Sequence, residues 1–208
     1  MLSETQKETR IQKLIETEWE LFQHVHNEGG RDACQDDWNT FHIMRHSQFA
    51  MWPEKVLSSY QTDLDTAKSQ GRNLITEKYA RMMASTDPEE YRRLEPFLPA
   101  LTSQAEEITE EILSLLMVWL EEYAEHYPAL SARGRRLHSS EDTKWDTSAE
   151  TYLRGELQTY SVETLQLYLE YLTSCAQKGV NVVEKSDTLM VQEYGYSSLE
   201  DAQAHLNS

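Results

Sequence analysis

The chain has 208 residues, of which 39% are hydrophobic and 26% are charged, and these values are typical of one folded domain. Its 19 Lys and Arg residues against 36 Asp and Glu residues give a formal charge of −17, which excludes charge-driven binding to nucleic acid and to anionic membranes. The sequence contains no run of about 18 apolar residues, so no membrane span is predicted.

The N-terminal segment is charged and lacks the apolar core of a signal peptide. Cys34 and Cys175 lie far apart in the sequence and are most simply interpreted as reduced thiols. We therefore expect a cytoplasmic protein.

Two amphipathic helices joined by a short loop are predicted at the start of the chain. The first begins after a cap at Ser3 and is ended near residue 27 by the glycine pair at 29–30. The second covers about 36–51, with Asp36 or Asp37 as its N-cap. Helices joined by so short a link are expected to be neighbours.

Each of these two helices carries a charged residue on its apolar face. Glu18 falls within an aliphatic stripe, and Arg45 falls within an aromatic one. Glu18 either lies at the edge of the stripe or is buried, and a buried carboxylate needs a partner because an unpaired buried charge is costly. A contact between Glu18 and Arg45 is the hypothesis that this geometry permits.

The middle of the chain predicts four more helices. Helical spacing of apolar residues covers 54–68 and 73–84. A short helix is opened by the Asp87 cap and the proline that follows it. The fourth, over about 103–126, starts with a cap at Ser103 and is expected to be the most buried helix.

Residues 126–146 are predicted to form one long loop that carries the basic run 133–136. Its ordinary interpretation is a solvated loop that pairs with nearby acids. The functional interpretation is an anion clamp or a lid, since long ordered loops are often functional.

The last third predicts a long helix over 147–177, opened by a capping box on its first residue. Gly155 inside it costs about 1 kcal/mol relative to Ala, and such a glycine implies close approach of another helix or a ligand. A short extended piece at 180–183 follows, and Asp187 and Ser198 can cap two short terminal helices. The fold class is thus all-α, one compact domain over 1–208 with about six longer helices and a few short ones.

The histidines suggest a metal-binding site as one hypothesis. His42 and His46 are four residues apart on one helix, and His24, His26 and Cys34 lie nearby in sequence. No recognised metal-binding motif connects them, so surface or hydrogen-bonded histidines are the preferred interpretation. Phosphate-loop, dinucleotide and flavin motifs are absent, and any cofactor is unknown.

Polar groups among aromatic residues suggest a small-molecule pocket as a second hypothesis. Apolar walls with a few convergent charged groups suit a small-molecule ligand. Arg45 is the candidate anion anchor, and Glu18 and Glu156 are the candidate acid/base groups if burial raises the pKa. The ordinary alternative places the aromatic residues in the core and the charges in solvent. The candidate site comprises Glu18, Trp19, Arg45, Gln48, Tyr152, Arg154, Glu156 and Tyr160.

Long motifs resemble those of a known family. They are EWELF (18–22), NEGGR (27–31), CQDDW (34–38), IMRHSQF (43–49), EDT (141–143), TSAETYLRGEL (147–157) and TYS (159–161). The chain resembles the bacterial domain of unknown function 4125 over nearly its whole length. The resemblance implies a compact bacterial cytoplasmic protein without a defined activity. In some relatives the family domain adjoins a nucleotidyltransferase-like domain, which slightly favours a role in small-molecule metabolism. The family pattern includes Cys34, Gln35, Asp36, Arg45 and Gln48 but not His24, His26 or His46.

Three functions follow from these observations. The first is an enzyme that acts on a small polar metabolite, anionic or amino-acid-like, without a tightly bound organic cofactor. The alternative is a non-catalytic module that binds a ligand or a protein. The second alternative is a metal-dependent enzyme that uses the histidines. In each case we expect the N-terminal hairpin to pack against the helix over 147–177, and the oligomeric state stays open.

Overall fold

The computed structural model describes residues 4–26 and 30–207. These residues form eleven α-helices, and no β-strand occurs among them. None of the described helices is long and apolar enough to cross a membrane. The helices are α1 (Glu4–Gln23), α2 (Trp38–Met51), α3 (Glu54–Ser69), α4 (Leu74–Thr86), α5 (Pro88–Leu94), α6 (Ser103–His126), α7 (Pro128–Ser131), α8 (Ala149–Leu157), α9 (Val162–Gln177), α10 (Val182–Glu193) and α11 (Leu199–Leu206).

One main hydrophobic core joins most of these helices. Helix α1 contacts α2, α3 and α4, while α9 contacts α3 and α6, and α8 contacts α4 and α6. Aromatic side chains fill its centre, where Phe49, Trp52 and Tyr60 are almost completely buried. Burial of each such side chain stabilises the fold by about 1.5–3 kcal/mol. The all-α class that the sequence predicts is confirmed for the described residues.

The predicted N-terminal hairpin is present, because α1 and α2 pack against each other. Of the two candidate caps, Asp37 starts α2 and accepts a hydrogen bond from the Thr40 backbone N at 3.0 Å. The predicted cap at Ser3 lies outside the described residues, as does Gly29. Gly30 has a φ of +93°, a conformation that glycine adopts without a steric cost.

The predicted long helix over 147–177 is wrong, because α8 and α9 are separate helices. Ser161 is the N-cap of α9, where its hydroxyl accepts a hydrogen bond from the Thr164 backbone N at 3.2 Å. Asp63 of α3 accepts the Ser161 backbone N–H at 3.0 Å, so a contact remote in sequence holds the break. The break turns Tyr160 into the core.

Several predicted boundaries also need correction. Helix α6 is capped by Thr102 and α8 by Ser148, each one residue away from the predicted cap. Residues 180–183 do not form an extended segment, because Asn181 is the N-cap of α10 and the helix begins at the next residue. Asp187 therefore lies inside α10, whereas Ser198 does cap α11 as predicted.

The predicted loop over 126–146 contains regular pieces. Helix α7 begins immediately after Tyr127, and a 3₁₀ turn covers Ser139–Glu141. Thr143 and Asp146 form an isolated antiparallel bridge. The basic run 133–136 lies between helix α7 and the 3₁₀ turn and is exposed to solvent.

The glycine inside α8 has the role that the sequence predicted. A Cβ atom at Gly155 would lie 2.8 Å from Met82 Cγ and 3.0 Å from the Lys78 carbonyl oxygen, both on α4. No side chain fits at this crossing, so the glycine allows α8 and α4 to approach closely. This approach brings the polar residues of the two helices together.

Candidate functional site

The charged residues that the sequence placed on apolar faces meet in one buried cluster. Arg45 donates from Nε and Nη2 to the two carboxylate oxygens of Glu18, at 2.5 and 2.6 Å. Its Nη1 donates to Glu156 Oε1 at 3.0 Å. Lys78 Nζ donates to the other oxygen of Glu156 at 2.5 Å. We call Glu18, Arg45, Lys78 and Glu156 the ion cluster, in which two carboxylates balance two cations.

Two tyrosines and one glutamine complete the hydrogen bonds of the ion cluster. Tyr60 donates to Glu18 Oε1 at 2.6 Å, and Tyr160 donates to Glu156 Oε1 at 2.8 Å. Gln48 accepts from Arg45 Nη1 at 2.6 Å and donates to Glu156 Oε1 at 3.3 Å. A buried charge network stabilises a fold only when its members are satisfied in this way.

The protonation states of the cluster follow from its pairing. Burial alone would raise the pKa of Glu156, but the charges of Arg45 and Lys78 hold it well below its ordinary value. Burial lowers the pKa of Lys78, yet the charge of Glu156 leaves that pKa above its ordinary value. Burial and a neighbouring carboxylate raise the pKa of Tyr60 and Tyr160 far above the usual range. The carboxylate of Glu156 is therefore ionised, and the two tyrosines remain hydrogen-bond donors.

A cleft of about 250 Å³ opens above the ion cluster. Its floor is charged, its walls are aromatic and aliphatic, and its rim carries a thiol, a carboxylate and a guanidinium. The lining residues are Glu18, Phe22, Cys34, Asp37, Thr40, Phe41, Met44, Arg45, Ile75, Lys78, Tyr79, Arg135 and Tyr152.

Tyr152 forms one wall of the cleft and contacts two cations. Lys78 Nζ lies 3.5 Å from the centre of its ring, and Arg135 Cζ lies 4.4 Å from it. Attraction between a cation and the face of an aromatic ring contributes about 0.5–2 kcal/mol. Arg135 belongs to the basic run 133–136, so this segment places one guanidinium at the cleft.

A 3₁₀ turn, Ala33–Asp36, forms the rim on the side of α1. The buried amide of Gln35 donates to the backbone oxygens of Phe22 and Val25, at 2.8 and 3.2 Å. These two carbonyls lie at the C-terminal end of α1 and its extension, where helix carbonyls lack partners within the helix. Gln35 thus fixes the turn that carries the exposed thiol of Cys34.

The structure brings together most, but not all, of the predicted site residues. Glu18, Arg45, Gln48, Glu156 and Tyr160 meet in or beside the ion cluster, and Tyr152 lines the cleft. Trp19 packs against Trp38 and Phe41, with ring centres 5.3 and 5.1 Å away, and is not a lining residue.

Arg154 lies outside the ion cluster and does not line the cleft. It forms ion pairs with Glu110 at 2.8 Å and Glu150 at 2.9 Å, on the outer side of α8. Residues two apart on a helix point in opposite directions, about 200° around the axis, so Arg154 faces away when Glu156 faces inward.

The sequence interpretation named neither Lys78 nor Tyr60 as a site residue. Lys78 stands between Leu74 and Met82 at steps of four residues, so it occupies the buried face of α4. A lysine at such a position signals a buried partner, in the same way as Glu18 and Arg45 do.

The histidines of α2 have ordinary partners. His42 hydrogen-bonds with Gln12 at 2.9 Å, and His46 lies between Glu8 of α1 and Glu193 of α10. Within residues 4–26 and 30–207, no group of three or more His, Cys, Asp or Glu side chains could hold a metal ion. The structure thus does not gather the histidines into a metal site among these residues.

Fold and site together define a helical protein with an aromatic cleft over a buried ion cluster. Residues 8–204 match the family described as "Protein of unknown function (DUF4125)". The chain belongs to this family, as the resemblance of its motifs indicated. None of the curated proteins and none of the solved structures matches the chain.

Proposed function

We propose that this protein binds a small organic molecule in the cleft above the ion cluster. The observation that carries the proposal is the combination of aromatic walls and a charged, buried floor in one concavity. Ligand sites are usually concave, mostly apolar and supplied with a few fixed polar groups. The helices α1, α2, α4 and α8 supply these groups, and rigid elements hold a site more precisely than loops do.

The size of the cleft limits the ligand. A volume of about 250 Å³ equals that of roughly eight water molecules in the liquid, at about 30 Å³ each. A single ring with a short polar substituent fits this space. Nucleotides and larger cofactors exceed it, unless they extend beyond the rim.

The enzyme hypothesis needs a group in the cleft that exchanges protons near neutral pH. Glu156 is held ionised by two cations, and Tyr60 and Tyr160 are held protonated by burial. These states favour a supporting role for the ion cluster, which fixes the shape and charge of the floor. The catalytic roles of Glu18 and Glu156 stay predictions, and ligand binding is the function that the geometry supports best.

Blocking the cleft tests the proposal. Met44 lines the cleft and is 50% exposed, so Met44→Trp covers the opening without filling the core. Val118→Trp is the matched control, because Val118 is 53% exposed on α6 and does not line the cleft. A library of small aromatic and aliphatic acids, amides, alcohols and amines is screened for compounds that raise the melting temperature of the wild type.

Compounds that stabilise the wild type should stabilise Val118→Trp equally and Met44→Trp weakly or not at all. A ligand present at 100 times its Kd stabilises a protein by about 2.7 kcal/mol, so the loss is measurable. Equal stabilisation of both variants by every active compound would place the ligand elsewhere and refute the proposal.

A further inference from the structure

We infer that the cleft recognises a carboxylate with a single negative charge, and that Arg135, not Arg45, binds that charge. The inference rests on the proposed function, since it names the ligand class of the same cleft. It follows from counting which hydrogen-bonding groups at the cleft are already used and which are still available.

Each carboxylate of the ion cluster is already paired with a buried cation. Both oxygens of Glu18 accept from Arg45, and one also accepts from Tyr60. One oxygen of Glu156 accepts from Lys78, and the other accepts from Arg45 and two neutral side chains. A cationic ligand group would thus meet carboxylates whose charge is already balanced, and displacing one of their buried partners would cost several kcal/mol.

Arg45 is equally occupied, which argues against the role that the sequence suggested for it. Four of its N–H groups contact Glu18, Gln48 and Glu156. Its guanidinium also lies 4.6 Å from the centre of the Phe49 ring. To bind an anion bidentately, Arg45 would have to release Glu18 and leave that carboxylate buried without its counter-ion.

Most N–H donors of Arg135, by contrast, have no partner among the described residues. Its only hydrogen bond to the described residues goes from Nη1 to the Thr147 carbonyl oxygen at 3.0 Å, and a guanidinium carries five N–H donors. No described carboxylate forms an ion pair with it, whereas the adjacent Arg136 pairs with Asp146 at 3.3 Å. Packing on the Tyr152 ring holds the Arg135 guanidinium at the cleft with donors to spare.

Arg135 supplies one positive charge, and this points to one negative charge on the ligand. Within the ion cluster, the two carboxylates neutralise Arg45 and Lys78. Arg135 also lines the cleft, and it forms no ion pair with a carboxylate of the described residues. Asp37 on the rim is exposed and accepts a backbone N–H at the start of α2, where the helix dipole favours its charge. A carboxylate matches the planar fork of an arginine, and Lys78, which also lines the cleft, uses one of its three N–H donors on Glu156.

Matched pairs of small probes test this inference. Benzoate and phenylacetate carry one negative charge, and benzamide and phenylacetamide are their neutral counterparts of the same shape. Phenyl phosphate supplies a second charge on a similar ring. Dissociation constants at roughly millimolar probe concentrations come from proton–nitrogen NMR titration of the full chain. The proteins are the wild type, Arg135→Gln, Arg136→Gln and Met44→Trp.

We expect at least one carboxylate to bind the wild type about tenfold or more tightly than its amide, as a charge-assisted hydrogen bond predicts. Arg135→Gln should bring this ratio close to one, and Arg136→Gln should leave it unchanged. Arg135 is exposed, so its replacement should not disturb folding. Phenyl phosphate should bind no more tightly than the carboxylate.

Three results would overturn the inference. One is amide binding as tight as carboxylate binding in the wild type, with both weakened by Met44→Trp, which would leave the proposed function standing. Another is a preference for carboxylate that survives Arg135→Gln. The third is tighter binding of phenyl phosphate than of either carboxylate. If no probe distinguishes Met44→Trp from the wild type, the inference and the proposed function fail together.

Discussion

Replacing Arg45 by Met removes the cation that holds two buried carboxylates. Met retains much of the apolar stem and deletes four hydrogen bonds, two to Glu18 and one each to Glu156 and Gln48. Glu18 is completely buried, and it would keep only the hydroxyl of Tyr60 as a partner. Breaking a buried ion pair from one side costs about 3–5 kcal/mol, and we expect Arg45→Met to lose stability in this range.

A double-mutant cycle separates the pair from the general cost of each change. Glu18→Gln removes the charge that Arg45→Met leaves unpaired, so the double variant should lose about 1–3 kcal/mol less than the sum of the single variants. Urea unfolding followed by tryptophan fluorescence measures each free energy. Arg154→Met is the matched control, because its ion pairs are part-exposed and should cost about 1 kcal/mol or less.

Two results would refute this reasoning. Strict additivity of Glu18→Gln and Arg45→Met would show that the two groups do not interact energetically. A loss for Arg45→Met no larger than the loss for Arg154→Met would show that the ion cluster is not a buried network.

Three further predictions concern stability. Burial raises the pKa of Asp187 to about 6; since this exceeds the unfolded value, its contribution to stability is present at low pH and lost as pH rises through about 6. Urea unfolding should thus find Asp187→Asn more stable than wild type by about 1–3 kcal/mol near pH 8, and an equal difference near pH 4 would contradict this. Burial lowers the pKa of His46, but hydrogen bonds with carboxylates of α1 and α10 raise it overall. Stability from its charged form is therefore present below about pH 6.5 and lost as pH rises through the folded-state pKa, and His46→Gln should flatten this pH dependence in the same assay. Gly155→Ala forces a methyl group against Met82 and the Lys78 carbonyl, so it should lose about 1–3 kcal/mol in thermal unfolding, and a gain would contradict the close packing of α4 and α8.

The helices and the central ion pair could be predicted because local spacing determines which face of a helix a residue occupies. Glu18 and Arg45 each interrupt an apolar stripe, and two such charges on neighbouring helices require each other. The same spacing rule also separates Arg154 from Glu156, since a step of two residues reverses the direction of the side chain. The position of Arg154 on the other side of α8 from Glu156 therefore follows from the sequence spacing alone.

Other features depend on contacts between segments remote in sequence. The partner of Glu156 is Lys78 on α4, and no pattern within either helix indicates that α4 and α8 meet, apart from the glycine at their crossing. The break after α8 is held by Asp63 of α3, so Ser161 resembled an interior helical residue until its partner was known. The position of Arg135 over Tyr152 likewise depends on the path of a surface segment, which periodicity does not encode.

Methyl NMR of methionine-labelled protein tests the central claim, ligand binding in the cleft, most directly. The chain has seven methionines, and Met44 is a lining residue of the cleft. Titration with benzoate or phenylacetate should shift the Met44 methyl signal in proportion to occupancy and leave the signals of Met117 and Met190 in place. Saturable shifts at Met117 or Met190, neither of which lines the cleft, without a change at Met44 would contradict the claim that the cleft is the binding site.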